Sequence, residues 1–347
     1  MIIDVDQHWK PEFFWTDTAY LNACLRCIPR AYGEHVEISD IPGSPEKNIR
    51  ISRPKGYVNL NPEGRAVDID DRLRAMDESK IDKAILRFSI WPEWLTLDLC
   101  QKANDAMAKV VKGHPDRFLG LATVPPWGDK DCLNELERCI KELGFVGVTV
   151  SAHYGTLYLD SEELRPHFKK INELNIPVIV HHTPLPVDYA HVYDFDNLRR
   201  MYGRCMDQMI CVGRIVYSGM LDELPNLRFI HTMMAGGLFA YKNLITPQKS
   251  TDQSDKERFN PEASNKAVDK FDRIYSDISH AQPWGRAPLE CAVKVLGAKN
   301  VVFGTSYALR REWSINGVDF VRSLEISEQD KDLILGGNAQ RLFKIKE

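Results

Sequence analysis

Eight short runs of apolar and β-branched residues recur along this chain, with helical stretches between them. Strands that alternate with helices favour βαβ units and a parallel sheet. The runs are almost continuously apolar, as expected of strands that are covered on both faces. Eight such units predict one α/β domain over residues 1–347, folded as a (β/α)8 TIM barrel. The runs are Ile2–Asp6, Lys83–Phe88, Phe118–Val124, Gly147–Val150, Pro177–His182, Arg228–Thr232, Arg273–Ser279 and Val301–Tyr307.

An open, doubly wound sheet is the alternative architecture. No Gly-x-Gly-x-x-Gly motif follows an early run, which disfavours the dinucleotide-binding form of such a sheet. Two stretches exceed a minimal barrel, namely residues 9–67 after the first strand and residues 184–225 after the fifth. Insertions that follow barrel strands lie on the catalytic face, so we expect both to cap the site and the second to be helical at its centre. The polar residues 246–269 are expected to form a surface loop.

Charge and hydropathy exclude several classes of protein. The 347 residues include 45 Lys and Arg against 49 Asp and Glu, a formal net charge of −4. Such a chain lacks the basic surface that nucleic acid binding needs. No apolar run approaches the roughly 20 residues that span a bilayer. The first six residues do not begin a signal peptide, so we expect a cytoplasmic protein whose eight cysteines are reduced thiols.

Polar residues gather where the predicted strands end, which is where barrel enzymes carry their catalytic groups. Six of the ten histidines lie at these ends, far more than chance would place there. The concentration predicts an active site at the mouth of the barrel. The polar residues at the strand ends include Asp6, His8, Arg87, His153, His181, His182, His231, Asp277, His280 and Ser306.

Two residues of the first strand suit a metal ion. Asp6 and His8 are two positions apart, so both side chains point to the same face of the strand. With His181 from the fifth strand they make a two-histidine, one-carboxylate set that suits Zn²⁺, Mn²⁺ or Fe²⁺. The alternative is structural, with Asp6 capping a turn and His8 hydrogen-bonded to it. His182 must point away from its neighbour and is expected to pack in the core.

The joint order of several short motifs resembles the amidohydrolase-related family, which includes aminocarboxymuconate-semialdehyde decarboxylase and γ-resorcylate (2,6-dihydroxybenzoate) decarboxylase. The resemblance covers nearly the whole chain and implies a metal-assisted decarboxylase or hydrolase on a TIM barrel, assembled as a homodimer. By position, the family's metal ligands correspond to Asp6, His8, His181 and residue 306, and its sixth-strand histidine corresponds to His231. The motifs are IDVDQH at 3–8, NDA at 104–106, HPDRF at 114–118, ELGFVGV at 142–148, PVIVH at 177–181, LPNLRFIH at 224–231, FGT at 303–305 and GNA at 337–339.

Two of these positions depart from the family pattern. Asp6 stands where histidine or glutamate is usual. Ser306 stands where the family has an aspartate that both binds the metal and transfers the proton. A serine hydroxyl is a poor ligand and a poor proton shuttle. We therefore expect His231, His280 or Asp277 to transfer the proton, with His231 as the leading candidate.

The leading hypothesis is a decarboxylase that acts on an aromatic or unsaturated carboxylic acid. A divalent metal, Zn²⁺ or Mn²⁺, would chelate the substrate carboxylate and stabilise the developing charge. We expect Arg87 and His153 to bind the substrate, and Trp9 and Trp284 to wall an aromatic pocket.

Three alternatives remain, of which the last two follow from Ser306. One is a hydrolase or hydratase of a related ring acid or lactone on the same barrel. Another is a metal-free site, in which Arg87 and protonated histidines bind the carboxylate directly. The third is a non-catalytic relative that serves as a binding or assembly partner.

Overall fold

The eight predicted runs form one parallel eight-stranded sheet, in which the strand of each run pairs with the strand of the next run along the chain. The structure is a computed structural model, which describes residues 1–28, 35–43, 47–52, 57–60, 68–90, 92–183, 192, 195, 198–245, 270–279, 282–309 and 311–346. The strands are β1 (Ile3–Trp9), β2 (His35–Asp40), β3 (Lys47–Ser52), β4 (Tyr57–Leu60), β5 (Lys83–Phe88), β6 (Phe118–Thr123), β7 (Gly147–Ser151), β8 (His153–Tyr154), β9 (Leu157–Tyr158), β10 (Val178–His181), β11 (Phe229–His231), β12 (Ile274–Asp277) and β13 (Val301–Val302).

Helices follow the sheet strands on the outside of the barrel. The α-helices are α1 (Phe13–Thr16), α2 (Thr18–Arg26), α3 (Ile69–Glu78), α4 (Leu97–Gly113), α5 (Lys130–Lys141), α6 (Arg165–Leu174), α7 (Arg204–Tyr217), α8 (Met220–Glu223), α9 (Lys242–Ile245), α10 (Arg286–Leu296), α11 (Arg311–Ile315), α12 (Gly317–Arg322), α13 (Glu328–Asp332) and α14 (Asn338–Phe343). Shorter turns of helix cover Pro92–Trp94, Glu162–Leu164, Leu198–Gly203, Leu238–Ala240, Phe271–Arg273, Gln282–Trp284, Ala298–Asn300 and Leu333–Gly337.

The first and last strands close the sheet into a barrel. The amide of Val5 donates to the carbonyl of Phe303, and the amide of Ser306 donates to the carbonyl of Asp6. Gln7 and Tyr307 then form a parallel bridge. The (β/α)8 prediction is confirmed, although β13 is much shorter than the run that predicted it, because the chain leaves regular strand geometry after Val302.

Each sequence insertion contains its own secondary structure. After β1 the chain forms α1 and α2 and then the antiparallel sheet β2-β3-β4, which the sequence patterns did not predict. After β10, the described part of the second insertion contains α7, which agrees with the expectation that this insertion is helical at its centre. The expected loop at 246–269 lies outside the described residues. Treating residues 1–347 as one domain stays a prediction.

One end of the barrel interior is closed by a compact apolar cluster, which we call the apolar floor. Its strand residues come from seven of the eight sheet strands, and α14 covers it from below. The side-chain Nδ2 of Asn338, at the start of α14, donates to the carbonyls of Ala298 and Val301 and so fixes the helix against the barrel. The apolar floor consists of Ile3, Val5, Ile85, Leu121, Ile179, Ile230, Tyr275, Val302, Ala339, Leu342 and Phe343.

The eight cysteines form no disulfide in the structure, and their expected reduced state stays a prediction. Within the described ranges, no helix combines the length and the apolar character needed to cross a bilayer.

Candidate active site

Above the apolar floor, at the carboxyl ends of the strands, the side chains that face the barrel interior are polar. Side chains two positions apart on a strand face the same side. On β5, the floor residue Ile85 is thus followed by Arg87, and on β12 the floor residue Tyr275 is followed by Asp277. This layer is buried, so its charges need partners inside the protein. We call the following set the polar layer: Asp6, His8, Arg87, Thr123, Thr149, His181, Asp277 and Ser306.

An extra residue in β1 aims Asp6 into the polar layer. Asp4 pairs with Ala84 of β5, but Gln7 pairs with Leu86, so three steps on β1 match two on β5. Such bulges redirect side chains. Asp4 itself points elsewhere and accepts hydrogen bonds from the amide and hydroxyl of Thr305. Burial raises the pKa of Asp4 to about 7, and this carboxyl fixes β1 to the segment after β13.

The guanidinium of Arg87 bridges Asp6 and His8. Its Nε donates to Asp6 Oδ1 at 2.5 Å, and a terminal nitrogen contacts His8 Nε2. The other carboxylate oxygen of Asp6 accepts a 2.8 Å hydrogen bond from Ser306 Oγ. Burial by itself would raise the pKa of Asp6, but the neighbouring Arg87 and His8, with the hydrogen bonds from Arg87 and Ser306, lower it to about 2. Asp6 is therefore an ionised carboxylate.

Asp277 lies beside Asp6, and its pKa is shifted in the opposite direction. A Cβ atom on Gly304 would lie 3.2 Å from the Asp6 Cβ and 3.3 Å from Asp277 Oδ2, so a larger residue here would crowd both aspartates. Burial, and then the charge of Asp6, raise the pKa of Asp277 well above its usual value. Burial and the charge of Asp6 therefore both favour the protonated form of Asp277.

The hydrogen bonds of Asp277 locate its proton. Oδ1 accepts from the amide and the hydroxyl of Ser279 and from the amide of Met233. Met233 reaches it because Met233, Met234 and Ala235 all have left-handed φ values, of 58°, 52° and 49°. Such backbone is costly and is typical of functional sites. Among the described residues, Oδ2 has no hydrogen-bond partner, so Oδ2 is the oxygen that would carry the carboxyl proton.

His231 faces a different set of neighbours. Its Nδ1 lies 2.7 Å from Gln208 Oε1, and the Gln208 amide nitrogen donates to the carbonyl of Val180. Gln208 Oε1 is thus the acceptor, so Nδ1 carries the hydrogen and Nε2 the lone pair. Burial lowers the pKa of His231 to about 3. A neutral imidazole of this kind donates a proton poorly, which favours Asp277 over His231 as the donor.

Several predicted site residues are placed outside this group. His153 belongs to a buried network in which its Nε2 lies 2.9 Å from Thr183 Oγ1 and 3.3 Å from Asp207. Trp9 packs in the main hydrophobic core, and Trp284 packs beside Phe239 and Gly237. Their predicted substrate contacts stay predictions. His280 lies outside the described residues. His182 is buried as expected, but the expectation that it points away from His181 is wrong, because the two ring centroids lie 3.9 Å apart.

The predicted metal set comes close together without forming a coordination sphere. His8 Nε2 lies 3.9 Å from Asp6 Oδ1, and the His8 and His181 ring centroids are 5.7 Å apart. Among the residues that the structure describes, no three His, Cys, Asp or Glu side chains are arranged to hold a metal ion. The physical reason is Arg87, whose guanidinium contacts both Asp6 and His8 where an ion would have to bind them.

Two polar-layer residues escaped the sequence analysis. Thr123 and Thr149 are paired across β6 and β7, and both hydroxyls are buried without a hydrogen-bond partner among the described residues. Thr149 lies between Val148 and Val150, which pack in the outer core, so Thr149 faces the barrel interior. The signal that identifies them is a threonine two positions after a floor residue or between two outward-facing valines.

Comparisons with known proteins agree on one family. The family model described as amidohydrolase matches residues 3–345. The chain is 30% identical over 297 residues to γ-resorcylate decarboxylase from Polaromonas, covering 81% of this chain and 89% of that protein. It is 27% identical over 283 residues to 2-amino-3-carboxymuconate-6-semialdehyde decarboxylase from Dictyostelium discoideum, covering 78% and 75%.

A solved structure of a related enzyme contains a metal. The crystal structure of dihydroxybenzoic acid decarboxylase from Polaromonas, with bound manganese and the inhibitor 2-nitroresorcinol, superimposes with a TM-score of 0.72 at 26% identity, covering 99% of this chain and 96% of that chain. The manganese supports a divalent metal in this family and does not decide between zinc and manganese.

Proposed function

Since this chain belongs to the amidohydrolase family, we propose that it is a carboxy-lyase that removes CO2 from an aromatic or unsaturated carboxylic acid. The observation that carries the proposal is Asp277, a fully buried carboxyl that lies beside the Asp6–Arg87 ion pair at the catalytic end of the barrel, where burial and the charge of Asp6 favour its protonated form. Decarboxylation needs a proton for the carbon that loses CO2 and a fixed positive charge near the departing carboxylate. The polar layer offers both.

The residues of this chain suggest a simple proton balance. Asp277 Oδ2 gives its proton to the substrate carbon that bears the carboxylate. The bond between this carbon and the carboxylate then breaks, its electron pair returns to the substrate π-system, and CO2 leaves. Asp277 recovers a proton from water, so the net reaction consumes one proton for each CO2 released.

Arg87 and the two threonines have supporting roles in this proposal. Arg87 is held by Asp6 and supplies the cationic end of the site. The hydroxyls of Thr123 and Thr149 are polar atoms that a ring hydroxyl or oxo group of the substrate would satisfy. The side chains of this chain do not fit a divalent metal as they are arranged, so no step of the proposed reaction passes through one.

Release of CO2 tests the proposal directly. We expect purified protein to release CO2 from at least one acid in a panel that includes 2,6-dihydroxybenzoate, 5-carboxyvanillate and 2-amino-3-carboxymuconate semialdehyde. In D2O the product should carry one deuterium at the carbon that lost the carboxylate. Incorporation of water into a substrate that retains its carboxylate would instead support the hydrolase or hydratase alternative.

The finer assignments belong to the same proposal. A small carboxylic acid is the expected ligand, and a homodimer is the expected assembly. Equilibrium sedimentation of the purified chain measures the assembly, and a mass of one chain at micromolar concentration would contradict it.

A further inference from the structure

We infer that the guanidinium of Arg87 takes the place of the divalent metal in this chain, so that its polar layer works without a bound metal ion. The inference deepens the proposed function, on which the catalytic role of Arg87 rests. Its structural part rests on contacts among described residues and concerns metal binding alone.

The first argument is that both carboxylate oxygens of Asp6 are already occupied by hydrogen-bond donors of the protein. Both carboxylate oxygens already accept hydrogen bonds from protein groups, Oδ1 from Arg87 and Oδ2 from Ser306. The side chains of Asp6 and Arg87 are 0% and 2% exposed, so water does not compete for these bonds. A metal ion would have to displace a buried charge-assisted hydrogen bond in order to reach Asp6.

The orientation of His8 is the second argument. Metal ligation needs the lone pair of an imidazole nitrogen to be directed at the ion. His8 Nε2 instead contacts a terminal nitrogen of Arg87, the same guanidinium that binds Asp6. One side chain therefore engages two of the three predicted ligands, and it does so from a strand that neighbours β1 in the barrel.

The balance of charge is the third argument. Asp6 and Arg87 neutralise each other, and Ser306 adds no charge where the resemblance places an aspartate. A divalent ion would lie next to a buried guanidinium that already occupies the carboxylate of Asp6. Such an excess of positive charge in a buried site is strongly unfavourable. The serine at 306 and the arginine at 87 are therefore consistent with each other, since one removes a negative charge and the other fixes a positive one.

Metal binding can be measured without substrate. Elemental analysis of the purified chain should find less than 0.1 Zn or Mn per chain, and calorimetric titration with Mn²⁺ should show no binding at micromolar concentration. EDTA should shift the midpoint of thermal unfolding by less than 1 °C. A bound ion in a near 1:1 ratio, or a clear stabilisation by added Mn²⁺, would overturn the inference.

A paired variant tests whether these two residues exclude the ion. Arg87→Met combined with Ser306→Asp frees Asp6 and His8 and adds a fourth ligand, so we expect it to bind one Mn²⁺ per chain. Ser306→Asp alone, which keeps Arg87, is the matched control and should bind at least tenfold more weakly. A folded double variant that binds no Mn²⁺ would contradict the role given to Arg87.

The outcomes separate the two proposals. Metal-free protein that releases no CO2 from any acid would leave this inference standing and count against the proposed function. Protein that releases CO2 and contains a tightly bound metal would support the proposed function and overturn this inference. Metal-free protein that releases CO2, with a rate that changes less than twofold in EDTA, supports both.

Discussion

The apolar floor and the polar layer share most of their strands, and on β5, β6, β10 and β12 the polar side chain comes two residues after the floor side chain. In the floor, Ile179 and its neighbours bury apolar surface and stabilise the barrel. In the polar layer, Asp6, Arg87 and Asp277 are buried as charged or polar groups, which costs free energy unless each is paired. The comparison teaches that the residues that stabilise the barrel and the residues that could carry out its chemistry form two adjacent layers of the barrel interior. Mutations in the two layers should therefore have different signatures.

Asp277→Asn should have the largest effect, and on rate alone. Asparagine keeps the shape of a protonated carboxyl but has no acidic proton, so we expect kcat to fall on the order of 10³-fold, equivalent to about 4 kcal/mol in the activation barrier. The midpoint of thermal unfolding should change little, because asparagine is neutral and the environment of Asp277 already favours the neutral form. Retention of more than a tenth of the rate would remove Asp277 from the mechanism.

The pH profile sharpens the same prediction. Because the protonated form of Asp277 is the reactive one, kcat should decrease as the pH rises through its elevated pKa. Ser279 holds that pKa down by donating to Oδ1. The control variant Ser279→Ala should therefore move the alkaline limb of the profile to higher pH. A limb that does not move would mean that another group titrates.

Arg87→Met should affect both stability and rate. It leaves Asp6 as an ionised carboxylate with no cation beside it, which should reduce the free energy of unfolding by about 4 kcal/mol at neutral pH. The double variant Asp6→Asn/Arg87→Met removes the stranded charge and should recover most of that loss. Denaturant titration measures both. A loss below 1 kcal/mol in the single variant would mean that Asp6 does not depend on Arg87.

Ile179→Ala should show the opposite signature to Asp277→Asn. Ile179 is fully buried in the apolar floor, and the truncation should cost about 3 kcal/mol of unfolding free energy by leaving a cavity. Activity per folded molecule should fall less than threefold, since no polar-layer contact is removed. A large loss of kcat at a temperature where the variant is folded would show that the floor and the polar layer are not separable.

The separation of the layers explains what the sequence could and could not reveal. The apolar runs predicted the barrel because strand burial depends on local composition, and the strand ends indicated Asp6, Arg87 and Asp277. The bulge in β1 has no clear sequence signature, so the ion pair between Asp6 and Arg87 was not predictable. The pairing of His231 with Gln208 depends on how α7 packs against the barrel, which local patterns do not encode.

The antiparallel sheet β2-β3-β4 was missed for a related reason. It lies in an insertion rich in Pro, Gly and Asn, and four of the six residues of β3 are only partly buried or exposed. Its strands therefore lack the continuous apolar character that identified the barrel strands. Patterns of burial predict the parts of a fold that are buried on both faces much better than those at its edge.

Thr149→Val should have the smallest effect, and it tests whether the polar layer is built for a ligand. Valine has the same shape as threonine without the hydroxyl, which in the described structure is buried and has no hydrogen-bond partner. The free energy of unfolding of the variant should therefore be about 1 kcal/mol higher than that of the natural chain. If a substrate hydroxyl pairs with Thr149, KM should rise up to tenfold while kcat stays within threefold. Thr123→Val, on the neighbouring strand, is the matched comparison. A gain in stability with no change in KM at either position would mean that these hydroxyls face no substrate, and that the polar layer binds through Arg87 and Asp277 alone.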